Sequence, residues 1–238
     1  MMMHRPQSRS LSAGSFGLWL ISLLLFALVA RAEANVPPEQ MLQSVSDKMF
    51  KVMEREREAL KQEPTKLFAL VEEVLLPHVD MEVMSRFVLG KHWRTASATQ
   101  RERFTEEFKN LLIRFYVSAL VENPEKIDEL LSSTEGLITY LPSNIEADAR
   151  KTSVRAEVKM PNGGPKVPVV FSLFLKEGQW LLYDVNVDGI SLVTNYRSSF
   201  STEVSRQGLD TLIERLAKRN QELLEKAENG QAEASAGQ

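Results

Sequence analysis

The stretch that most constrains the fold is residues 180–200, WLLYDVNVDGISLVTNYRSSF, where the spacing of apolar residues changes partway along. Its first half alternates in a period of two, with Leu181, Tyr183, Val185 and Val187 on one side and Trp180, Leu182, Asp184 and Asn186 on the other, as expected of a strand with one buried face. After Asp188-Gly189 the apolar positions are Ile190, Val193, Tyr196 and Phe200, which make one stripe at the pitch of an α-helix. The sequence therefore predicts a strand that passes into a helix through a flexible dipeptide, both with large apolar side chains in need of cover.

The rest of the chain supplies that cover. Amphipathic helices are expected over residues 39–62, 65–76 and 80–89, the last with Asp80 as N-cap and Gly90 as its stop. Ser97 and Gln100 have the spacing of a capping box and open the most apolar helix, which carries Phe104, Phe108, Leu111, Leu112, Phe115 and Tyr116 and ends at Asn123-Pro124. From residue 136 the pattern is β, with strands at 137–141, 151–160, 166–175 and 180–187. The turn signals Asn162-Gly163-Gly164 and Glu177-Gly178 between them imply hairpins, hence an antiparallel meander. Gly208 separates the helix from Ile190 and a final helix bearing Leu209, Leu212, Ile213 and Leu216. The expected fold class is α+β, a four-stranded antiparallel meander with helices packed on one face of the sheet.

The N-terminal segment has a cationic start at His4, Arg5 and Arg9, an apolar run over 16–30 and small residues at Ala30, Ala32 and Ala34. That is the form of a secretory signal peptide over residues 1–34, cleaved after Ala32 or Ala34, and it predicts export to the periplasm. The mature domain would span 35–227, with a disordered polar tail over 228–238. The chain has no Cys, which excludes disulfides and thiolate metal sites. A formal charge of −3, with its basic residues scattered, gives no footprint for nucleic acid.

Signs of chemistry are few. Beyond the targeting segment the only histidines are His78 and His92, too sparse for a zinc or iron centre. No nucleophile elbow, phosphate-binding glycine loop or dinucleotide fingerprint is present. An acid and a tyrosine in an apolar pocket would require Asp188 with Tyr116, Tyr140 or Tyr196, since Tyr183 and Asp184 are adjacent on a strand. What stands out is an excess of aromatic residues, which either fill an ordinary core or line a cavity between sheet and helices.

Several blocks carry a resemblance: LLPHVD at 75–80, MSRFVLGKHWR at 84–94, QRERF at 100–104, FKNLL at 108–112, DGISLV at 188–193 and NYRS at 195–198 with Phe200. These resemble the MlaC family, also called the toluene tolerance family, over residues 36–226. The resemblance implies an NTF2-like arrangement and a monomeric periplasmic phospholipid carrier that needs no cofactor, with phospholipid as its cargo. It implies two further partners, an inner-membrane ABC transporter complex with MCE domains and an outer-membrane lipoprotein complex, between which the carrier would maintain lipid asymmetry.

The residues expected to meet lipid are Phe87, Phe104, Phe108, Leu112, Phe115, Tyr116, Val158, Val169, Phe171, Leu173, Leu181, Tyr183, Val185, Ile190, Val193 and Tyr196. Arg197 is the candidate for the lipid phosphate, ahead of Arg94, Lys91 and Arg86. Two other readings stay open on the residues alone: an NTF2-like enzyme acting on an apolar small molecule, and an interaction module with a filled core.

Overall fold

The computed structural model describes residues 36–236 apart from 64, 124, 133–135, 144, 147–148 and 161–163. Residues 1–34 and the turn at Asn162-Gly163 lie outside the described residues. The helices are α1 (Pro38–Arg55), α2 (Arg57–Gln62), α3 (Lys66–Val74), α4 (Met81–Leu89), α5 (Lys91–Thr95), α6 (Ala98–Val121), α7 (Glu125–Leu131), α8 (Leu192–Gln207) and α9 (Leu209–Ala236). The strands are β1 (Ile138–Tyr140), β2 (Lys151–Val158), β3 (Val167–Lys176), β4 (Gln179–Val187) and β5 (Ile190–Ser191).

All five strands form one antiparallel sheet in chain order, so the meander has five strands where the sequence predicts four. The added strand comes from Asp188-Gly189. Both residues have positive φ, 51° and 83°, as a two-residue hairpin of type I′ requires, and Ile190 turns back to pair with Val187. The chain thus passes from strand to strand to helix, and α8 begins at Leu192. The expected disordered tail is also corrected, since α9 continues to Ala236. The predicted helix over 39–62 is two helices, divided at Glu56.

Local signals explain the helix ends. Asp80 accepts from the Val83 N–H at 2.9 Å, and Ser97 with Gln100 forms the complete capping box that starts α6. The start of α8 is held from the sheet: the Ser191 hydroxyl donates to Asp184 Oδ2 at 2.6 Å and the Val193 N–H donates to Oδ1 at 3.0 Å. A strand carboxylate therefore satisfies a helix N-terminus and fixes where α8 leaves the sheet. Val79 bridges Leu182 on the same edge of β4 that β5 occupies further along, and the Asp80 N–H donates to the Leu182 carbonyl at 3.0 Å. The β4 edge is closed in this way, and α4 and α8 both spring from it.

Two hydrophobic cores result. One lies between the sheet and α1, α3, α7 and the second half of α6, with Val154, Leu173, Trp180 and Leu182 from the strands. The other is built from helices alone, α4, α5, α8, α9 and the first half of α6. Helix α6 links them, with Phe104, Phe108 and Leu111 in the helical core and Ile113, Val117 and Val121 beneath the sheet. No helix among the described residues is long and apolar enough to cross a membrane.

Replacing Asp184 with Ala should lower stability by about 1–2 kcal/mol through loss of the cap, and Asp184→Asn by less. The urea midpoint with unchanged slope checks this; equal midpoints for both variants and the parent would show that the cap is not coupled to folding.

Candidate functional site

Register decides which strand residues share a face. Ser172 pairs with Asp184 but Leu173 pairs with Leu182, so Tyr183 is an extra residue on β4, a β-bulge. The bulge breaks the alternation that the sequence predicts. Trp180 and Leu182 before it, and Val185 and Val187 after it, fall on one face with Val169, Phe171, Leu173 and Leu175 of β3. Leu181 pairs with Phe174 on the opposite face, and the Tyr183 ring lies 6.0 Å from Phe174 and 5.2 Å from Phe87 of α4. Leu181, Tyr183 and Phe87 are therefore on the outer side, away from the remaining predicted lipid-facing strand residues.

Of the residues expected to meet lipid, the inner face carries Val158, Val169, Phe171, Leu173 and Val185, and Tyr140, Leu175, Trp180 and Leu182, which are not among those residues, share it. One row of this face crosses the sheet from Ala156 through Val169 and Val187 to Ile190, each opposite the next. Exposure rises along it, from 2% and 6% at Ala156 and Val169 to 46% and 66% at Val187 and Ile190. A row that begins as core thus emerges from beneath the helices at the β4–β5 hairpin. Phe171 and Val185, in the neighbouring row, are half-buried. Ile190 lies on this open end and not in a helix stripe.

Of the predicted helical residues, Phe104, Phe108 and Val193 are fully packed in the helical core. Phe104 and Phe108 stack at 5.7 Å, and Phe200 meets them edge-on at 6.0 and 6.1 Å. These side chains hold α8 on α6. Leu112 is half-buried at the margin of that core. Phe115 and Tyr116 are 50% and 55% exposed, their rings edge-to-face at 5.2 Å. Tyr196 bridges the two zones: its ring packs on Phe108 at 5.2 Å, and burial together with the nearby Tyr116 phenol pushes its pKa up to about 12. Tyr196 of α8 thus packs on the helical core with the exposed Tyr116 of α6 nearby.

Arg197 is exposed, and its Nε donates to the Phe87 carbonyl at 2.6 Å. It ties α8 to α4 on the outer side, away from the exposed inner row. Two grooves are open to solvent elsewhere. The larger, about 810 Å³, has Trp93 and Ala98 together with the charged Glu82, Arg101, Glu102, Arg103, Glu106 and Glu107 in its walls. The smaller, about 480 Å³, runs along α1 to Tyr140, whose hydroxyl meets Ser46 Oγ at 2.7 Å and whose pKa burial raises. No group of three or more His, Asp or Glu placed to hold a metal occurs among the described residues.

Comparison with known proteins gives consistent matches. The family model described as MlaC protein matches residues 43–218. The intermembrane phospholipid transport system binding protein MlaC of Haemophilus influenzae is 27% identical over 203 residues, 84% of this chain and 90% of that protein. Toluene tolerance protein ttg2D of Pseudomonas putida is 28% identical over 192 residues, 80% of this chain and 83% of its own. The phospholipid-binding protein of Ralstonia solanacearum, solved in complex with a phospholipid, superposes with a TM-score of 0.66 at 25% identity, covering 81% of this chain and 99% of the other.

The raised pKa of Tyr196 gives a pH signature. Its neutral form is favoured in the folded chain, so its contribution to stability is complete below about pH 10, the unfolded value. That contribution is lost as pH rises toward about 12. Tyr196→Phe should flatten the decline of the denaturant midpoint over this range; an unchanged slope would place the alkaline sensitivity elsewhere.

Proposed function

The chain belongs to the MlaC protein family, and from that membership we propose that it is a periplasmic carrier of phospholipid without catalytic activity. The observation that carries this reading is the inner row of the sheet, buried at Val169 and emerging at Val187 and Ile190. A filled core would end in polar residues at its margin. Here the margin is apolar and continues into the half-buried Phe171 and Val185, so acyl chains can enter between sheet and helices by parting side chains that already meet water.

The energetics require such an entry. Two acyl chains have about 30 methylenes at about 0.8 kcal/mol each, so carrying them exposed would cost over ~20 kcal/mol. A surface patch covers only part of that length, whereas an interlayer can enclose it. The phosphate head stays in solvent at the mouth and asks little of the interior, which agrees with an inner face devoid of ionised strand side chains.

The relatives' names add the setting. One is part of an intermembrane phospholipid transport system, and the structural relative was solved with phospholipid bound. The reading therefore includes a signal peptide over residues 1–34, removed on export. It also includes exchange with two membrane complexes, an inner-membrane ABC transporter bearing MCE domains and an outer-membrane lipoprotein complex, in service of outer-membrane lipid asymmetry.

Protein purified from its native compartment should contain phospholipid by mass spectrometry. Val187→Glu, at the exposed end of the inner face, and Val185→Glu, further in, should stay folded by circular dichroism yet lose most of the bound lipid. Asn186→Glu, between them on the opposite face, should retain it. Lipid content that falls equally in all three, or is absent from the parent protein, would exclude the inner face as the cargo site.

A further inference from the structure

The outer face of the sheet carries an arrangement for which cargo binding has no use. Lys151 is opposite Phe174, Phe174 opposite Leu181 and Arg155 opposite Val170, so an apolar centre on β3 and β4 is edged by cations on β2. The bulge turns Tyr183 to this side, where its contacts with Phe174 and Phe87 extend the apolar centre onto α4. There a second set of cations gathers. The Arg86 guanidinium lies 5.8 Å from the centre of the Phe87 ring, and Arg197 lies across Gly90 beside Lys91.

Phe87, Val170, Phe174, Leu181 and Tyr183 are all half-buried, with part of each side chain in solvent. Arg86, Lys91, Lys151, Arg155 and Arg197 are exposed, and none of them has an ion-pair partner among the described residues. The nearby acids are mostly engaged: Asp184 caps α8, Asp80 is paired with Lys176 at 2.8 Å, and Glu157 with Lys166 at 2.6 Å. Glu82 and Glu177 remain, one turn before Arg86 and in the β3–β4 turn. In a chain of formal charge −3, this face is a local excess of positive charge.

We propose that this outer face docks the protein on the surface of a bilayer containing anionic phospholipid. Half-exposed aromatic rings settle at headgroup depth, where their amphipathic character is best satisfied, and the flanking cations meet lipid phosphates. The smaller groove lies elsewhere and the larger reaches this side at Glu82; an apolar centre edged by cations is complementary to a fluid layer of phosphates, which needs no pocket to anchor a side chain. Docking by this face leaves the inner face and its open end free. The proposal stands on the outer face alone and does not depend on the cargo site.

Flotation of the protein with vesicles tests it. Binding is expected to vesicles of phosphatidylcholine mixed with phosphatidylglycerol and not to phosphatidylcholine alone. It should vanish when salt rises from about 0.1 M to about 0.5 M, as the screening length falls to about 4 Å. Each lost cation is worth about fivefold, so Lys151→Glu with Arg155→Glu should weaken binding roughly 25-fold or more, and Lys218→Glu on α9 should not. Phe174→Ala should weaken binding even at low salt. Equal binding to both vesicle types, or binding unmoved by the β2 reversals, overturns the proposal. Retention on an immobilised polyglutamate peptide with no binding to vesicles overturns it in favour of an acidic protein partner. Phospholipid copurifying with the parent protein separates the two readings: its absence while the parent still floats with anionic vesicles would count against the cargo site and leave the docking face standing.

Discussion

The extra residue at Tyr183 is the constraint on which the rest of the structure depends. A strand with strict alternation would place Leu181, Tyr183, Val185 and Val187 on one face. The bulge instead joins two half-strands out of phase, so that Trp180 and Leu182 enter the core together with Val185 and Val187. Its second effect is on the next residue. Asp184 is aimed at the start of α8, and its carboxylate holds Ser191 and Val193. One inserted residue therefore sets the inner face, the outer aromatic centre and the departure of the helix.

The division into two cores follows and has a functional logic. The helical core is closed by the stacked rings of Phe104 and Phe108 with Phe200 set edge-on against both; deforming it would forfeit close packing on every side. The sheet core shares helix α6 with it but is left incomplete along one margin. A carrier that must take up and release a hydrocarbon payload needs one stiff part and one part whose side chains can be displaced at low cost. The same sheet offers opposite characters on its two sides, apolar and open-ended within, aromatic and cationic without.

Much of this was legible in the residues. Asp80, Gly90, Ser97 with Gln100, and Gly208 mark helix ends because capping is a local matter between near neighbours. The antiparallel meander is legible from turn signals, and the MlaC resemblance from separated blocks of sequence. The bulge was not, since a single unpaired residue leaves no trace in a period of two when Leu181 and Leu182 are both apolar. The fifth strand could have been found: Asp-Gly is a strong hairpin signal, but a two-residue strand is too short to show alternation, and the stripe of Ile190, Val193, Tyr196 and Phe200 imitates a helix from its first residue. Phe104 and Phe108 were expected to meet lipid because aromatic content alone does not distinguish a ring stacked in a core from one lining a cavity. The helix beyond residue 228 was missed because its composition is that of a disordered segment.

The account's central claim is that acyl chains enter between the inner face of the sheet and the helices, not the helical core. Trp180 and Trp93 report on the two sites, since each is buried, one beneath the sheet and the other in the helical core. The most direct measurement is the fluorescence of variants that retain a single tryptophan, loaded with phospholipid brominated along its acyl chains. The account predicts strong quenching of Trp180 and little of Trp93. Quenching of Trp93 with Trp180 unaffected would contradict it.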